Sequence, residues 1–106
     1  MTQALVSVPA KARRGDVIEI KTLIAHPMET GYRVGVSGEA IPRDILHTLA
    51  CTYNGEEIFR AELHPAIAAN PFVTFFTTAT DSGVIVVSWT GDDGATRTQQ
   101  AKIAVE

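Results

Sequence analysis

Apolar and polar residues alternate with a period of two along most of this chain. Residues 16–25 place Ile18, Ile20 and Ile24 on one face and Glu19 and Lys21 on the other. Residues 45–53 set Ile45, Leu49, Cys51 and Tyr53 against Thr48, Ala50 and Thr52. Further on, Phe59, Ala61 and Leu63 alternate with Arg60 and Glu62, and Ala101, Ile103 and Val105 alternate with Gln100 and Lys102. Each stretch reads as a strand with one wet face, the pattern of antiparallel sheets. Residues 84–90 are apolar at nearly every position, as a central strand requires. Residues 72–79 and 4–8 add two more strands, and residues 32–36 offer another.

Turn chemistry agrees with this reading. Asn54-Gly55 suits a type I′ hairpin turn, which needs φ > 0 at both central residues. Gly91-Asp92-Asp93-Gly94 turns the chain into its last strand. Seven or eight short strands in 106 residues, with no helical period, predict an all-β fold: one immunoglobulin-like antiparallel β-sandwich spanning residues 1–106. With a single cysteine there is no internal disulfide, so the core must hold by burial, worth about 25 cal/mol per Å² of apolar area. Two irregular stretches, 26–44 and 64–71, interrupt the strands. Each opens on His-Pro, at His26-Pro27 and His64-Pro65, which biases the histidine towards extended backbone where a strand ends. On a rigid sandwich, such loops are the first place to look for function.

Charge narrows the classes of partner. The net charge is −3, with acids and bases interspersed and no basic stripe, so phosphate-driven nucleic-acid binding is not expected. No apolar run approaches the roughly 18 residues of a membrane helix. The sequence at the N-terminus lacks the basic region and apolar core of a signal peptide, and composition alone favours the cytoplasm.

The candidate chemistry is sparse. Cys51 offers a nucleophile, but its strand phase groups it with Leu49 and Tyr53 on the core face, where an apolar setting hides a thiol and raises its pKa. His26, His47 and His64 lack the short ligand spacings of a zinc or copper site. His26-Pro27-Met28 superficially resembles a loop of the superoxide reductases, whose iron site sits on an immunoglobulin-like fold. That site takes four histidines and a cysteine. This chain has three histidines, and Tyr32 stands where that loop continues with histidine. No serine lies in a nucleophile-elbow context, and Gly31, Gly35 and Gly38 precede no helix that would cradle a phosphate. What remains is a binding surface. Met28, Tyr32, Ile41, Ile67, Phe72 and Phe75 lie in or beside the two loops, where they either meet a partner or cap the core. Open sheet edges offer a second docking route.

Four blocks carry a family resemblance: His26-Pro-Met-Glu-Thr-Gly-Tyr32, Ile41-Pro-Arg-Asp44, Cys51-Thr-Tyr-Asn-Gly-Glu-Glu57, and Phe59-Arg-Ala-Glu-Leu-His-Pro-Ala-Ile-Ala-Ala-Asn-Pro-Phe72. In this order they resemble the SoxZ family, with a likeness running over residues 17–105. The resemblance implies a sandwich that pairs with SoxY as a non-catalytic subunit of the SoxYZ carrier in bacterial thiosulfate and sulfur oxidation. The sulfur intermediate would sit on a cysteine in a glycine-flanked C-terminal arm of SoxY, so Cys51 would not carry it. It implies no cofactor and transient contacts with the haem, sulfate-releasing and sulfur-oxidising enzymes of the pathway. It also implies a periplasmic location, reached by co-export with SoxY. The expected partner contacts are His26, Met28, Tyr32, His64, Ile67, Asn70 and Phe72, with the two His-Pro loops side by side. A small metal-binding redox protein on a similar sandwich is the alternative.

Overall fold

The computed structural model describes residues 3–64, 67 and 69–106. Pro65, which the sequence makes part of the second His-Pro loop, lies outside them. The described chain forms eight strands: β1 (Ala4–Ser7), β2 (Lys11–Ala12), β3 (Val17–Ile24), β4 (Leu46–Tyr53), β5 (Glu56–Glu62), β6 (Phe72–Thr78), β7 (Gly83–Gly91) and β8 (Thr96–Val105). They make two sheets, ordered β1-β3-β6 and β2-β8-β7-β4-β5. The expected central strand is central: β7 lies between β4 and β8. Asn54 and Gly55 take φ values of 51° and 85°, the doubly positive turn that joins β4 to β5.

The inward faces follow the alternation. Ile18, Ile20 and Ile24 from one sheet meet Leu49, Cys51, Ile85, Val87, Trp89 and Ile103 from the other, all buried. Phe59 and Phe75 stack across the gap with ring centroids 4.1 Å apart and planes 4° from parallel, tying β5 to β6. Thr22 is the polar exception in the row. Its hydroxyl donates to the Val73 carbonyl at 2.9 Å, so no buried oxygen is left unpaired there.

Three features depart from the sequence pattern. β2 pairs parallel with β8 at Ala104 and Val105, so the sandwich is antiparallel except along this two-residue rail. Leu46 is buried in phase with Leu49, three residues on, because β4 carries an extra residue at His47 opposite β7, and the adjacent Ile45 is buried just before the strand begins. Residues 32–36 are not a strand. They form one side of an irregular finger held by bridges between Glu29 and Asp44 and between Val34 and Ala40. Too few ladder bonds form for a strand, and Tyr32, Val34 and Val36 stand in solvent.

Candidate functional site

One end of the sandwich gathers the ends of β3, β5 and β7 and the starts of β1, β4, β6 and β8. The described residues of both irregular loops and the turn after β7 therefore lie at this end. The loops are joined by a reciprocal clasp. The His26 N–H donates to the Asn70 side-chain oxygen at 2.9 Å, and the Asn70 N–H donates to the His26 carbonyl at 2.7 Å. Asn70 reaches this geometry at φ 54°, a left-handed conformation that asparagine tolerates better than most residues. The side-by-side arrangement expected of the two loops is thus present at His26 and Asn70.

The same geometry moves two expected contact residues indoors. His26 is 6% exposed and Met28 is 4% exposed, so neither is the surface side chain that the loop sequence suggested. Met28 takes φ 50°, which turns the chain back over the core, and its N–H donates to His26 Nδ1 at 2.9 Å. That bond puts the ring proton on Nε2, which faces an Asp44 carboxylate oxygen 3.9 Å away. The Met28 sulfur accepts the Leu46 N–H at 3.3 Å. Met28 is a core residue with a polar duty.

The other expected contacts are exposed but scattered. Tyr32 stands on the finger, Phe72 on the outer face of β6, and Ile67 and Asn70 in the loop between them. His64 is on the opposite flank, where it lines a shallow cleft of about 200 Å³ with His47, Arg43 and Glu62. Ile41 is half-buried, and Phe75 is a core residue. The sequence reading missed Phe76, Leu5 and Val17, each more than 60% exposed. A wider groove of about 680 Å³ opens where β1 parts from β8, lined by Gln3, Leu5, Leu23, Asn70, Thr98 and Gln99.

Ion pairs brace the loops. Arg43 holds Asp92 through two 2.9 Å bonds while Asp92 also accepts the Ile45 N–H, and these donors keep its carboxyl below the usual range. Arg33 and Arg97 act likewise on Glu29 and Asp93. Among the described residues no three histidine, cysteine, aspartate or glutamate side chains are grouped to hold a metal ion. Of the histidines, His26 sits apart in the interior while His47 and His64 share the cleft.

Cys51 is fully buried, and burial pushes its thiol from an ordinary 9.0 up to about 11. The thiol is therefore protonated at neutral pH and out of reach. Cys51 is expected to stay unmodified by a thiol-specific disulfide reagent at pH 7 and to react fully in guanidinium chloride, read by absorbance. Since its folded pKa is raised, the stability it contributes is complete below pH 9 and declines as pH rises through about 11.

A family model described as "Sulphur oxidation protein SoxZ" matches residues 6–102. No curated protein matches the sequence. Several solved structures share the fold at low identity. A superoxide reductase (neelaredoxin) from Ignicoccus hospitalis is 18% identical with a TM-score of 0.75, over 99% of this chain and 82% of that one. The sulfur carrier protein SoxY from Chlorobium limicola f thiosulfatophilum is 10% identical with a TM-score of 0.68, over 97% and 78%. A putative superoxide reductase from Thermotoga maritima is 17% identical with a TM-score of 0.69, over 97% and 85%. At these identities the likeness establishes the sandwich and nothing about chemistry.

Proposed function

The chain belongs to the SoxZ family, and on that premise we propose that it is the non-catalytic subunit of a SoxYZ-type sulfur carrier. In this reading it pairs with SoxY, whose arm cysteine holds the sulfur intermediate, and helps present that arm to the haem, sulfate-releasing and sulfur-oxidising enzymes. The pair works in the periplasm after export together. The observation that carries the reading is the family match over nearly the whole length. The site geometry is compatible with it. The one thiol is sealed in the core, while the surface carries several large apolar and aromatic side chains, among them Tyr32, Phe72 and Phe76, suited to contact with protein.

Co-expression with a SoxY chain from the same cell tests the proposal. A one-to-one complex is expected by size-exclusion chromatography with light scattering. After incubation with a sulfur donor and its conjugating enzyme, mass spectrometry should place the adduct on the SoxY arm. Cys51→Ala should leave adduct formation unchanged. Failure to form the complex, or an adduct on Cys51, would overturn the reading.

A further inference from the structure

We propose that the outer face of the β1-β3-β6 sheet is the seat of the SoxY partner, packed sheet against sheet. This rests on the pairing reading above and adds the surface to it. The register puts Leu5 opposite Leu23 and Leu23 opposite Phe72, so one unbroken apolar row crosses all three strands on the outer side. Further along the same face Phe76 pairs with Glu19, and Val17 with Thr78. Leu5, Phe72, Phe76 and Val17 are 64%, 61%, 62% and 72% exposed, which is an unusual load for the solvent side of a small sandwich.

The other outer face shows what an uncovered one looks like in this molecule. On the five-stranded sheet the outward positions include Thr48, Thr52, Ser88, Thr90, Gln100 and Lys102, and its outward Val84 and Val86 are half-buried. Both faces belong to the same chain, so the contrast marks the three-stranded one as built for cover.

Its size and charge fit a stable partner. Strands of four, eight and seven residues make a face roughly 14 Å across and about 27 Å along its longest strand. With upright Phe and Leu side chains, the accessible area of such a face approaches the ~800 Å² that each side brings to a standard interface. Its central charges, Lys21 and Glu19, pair with each other at 3.2 Å along β3, so covering the face strands no lone charge. A ladder-bonded sheet is also ordered before it binds, which lowers the entropy cost of association. The finger, with Tyr32, Val34 and Val36, lacks that support. The occupant matches in shape: the SoxY carrier from Chlorobium is itself a sandwich of this fold, and two such sheets stack face to face at about 10 Å.

The test uses the co-purified complex. Phe72→Glu with Phe76→Glu is expected to weaken pairing with SoxY at least 100-fold by calorimetry, while the melting temperature of the isolated subunit changes little. Tyr32→Glu with Val36→Glu on the finger should stay within threefold of wild type. Hydroxyl-radical footprinting of the wild-type pair reads the same surface without substitution, and Phe72 and Phe76 should be protected on pairing while Tyr32 is not. Wild-type affinity in the sheet-face variant, or loss confined to the finger variant, overturns the assignment. So does a homodimer of the subunit that the sheet-face variant dissolves. If the wild-type chain fails to bind SoxY at all, it is the pairing reading that falls, and the two failures are thereby distinct.

Discussion

Met28→Ala is expected to lower the stability of the isolated subunit by about 3–5 kcal/mol, measured as a shift in denaturant midpoint at unchanged slope. The side chain is 4% exposed in the main apolar cluster, so alanine leaves a cavity as well as losing transfer free energy. A second loss comes from its sulfur, which accepts the Leu46 N–H at 3.3 Å. Removing the acceptor leaves a buried amide donor unpaired, at about 1–3 kcal/mol. Met28→Leu separates the two contributions. It conserves volume at a cost under about 1.5 kcal/mol but still removes the acceptor, so it should fall between wild type and alanine. If Met28 served as a loop contact on the surface, alanine would change stability by no more than about 0.5 kcal/mol and would weaken pairing instead. The expected result is the reverse: a large loss of stability, with the folded fraction binding SoxY as tightly as wild type.

How much could be read beforehand follows from what alternation encodes. Strands β3, β4 and β8 are legible because each has one apolar face buried against the opposite sheet, which period two reports directly, whereas β7 is legible from its nearly continuous apolar run, the mark of a central strand. β2 was invisible, since two residues hold no period and its pairing with β8 is made by backbone. Residues 32–36 show the converse. Tyr32, Val34 and Val36 alternate as a strand does, but alternation says that a face is apolar, not that anything covers it. Cys51 is in the core, as its phase predicts, because its neighbours in phase, Leu49 and Tyr53, are core residues as well. Met28 escaped because its burial depends on a positive φ that nothing in the methionine side chain announces. Phe76 escaped for a local reason. Phe75 and Phe76 are adjacent, so one must face outward, and the sequence does not say which. The outcome shifts the candidate surface from the two loops to the face of β6 beside them.

The clasp between the loops sets up the second large effect. Asn70→Ala is expected to cost about 2–4 kcal/mol, because two separate requirements meet at that position. The backbone sits at φ 54°, where a residue with an ordinary Cβ costs on the order of 1 kcal/mol or more. The side-chain oxygen is the acceptor for the His26 N–H, and leaving a largely enclosed donor unpaired adds about 1–3 kcal/mol. The two requirements predict an order among variants. Asn70→Asp keeps both the acceptor and a tolerance for left-handed backbone, so it should lie nearest wild type. Asn70→Gly relieves the backbone but forfeits the acceptor, and should lie between aspartate and alanine. Denaturant midpoints measure the order, and limited proteolysis between residues 26 and 44 reports whether the loss is felt in the finger. Equal midpoints for glycine and alanine would remove backbone strain from the account. Equal midpoints for aspartate and alanine would remove the His26 bond. Only the full order, aspartate above glycine above alanine, assigns Asn70 both tasks, holding its own turn and anchoring the chain where it leaves β3 for the finger.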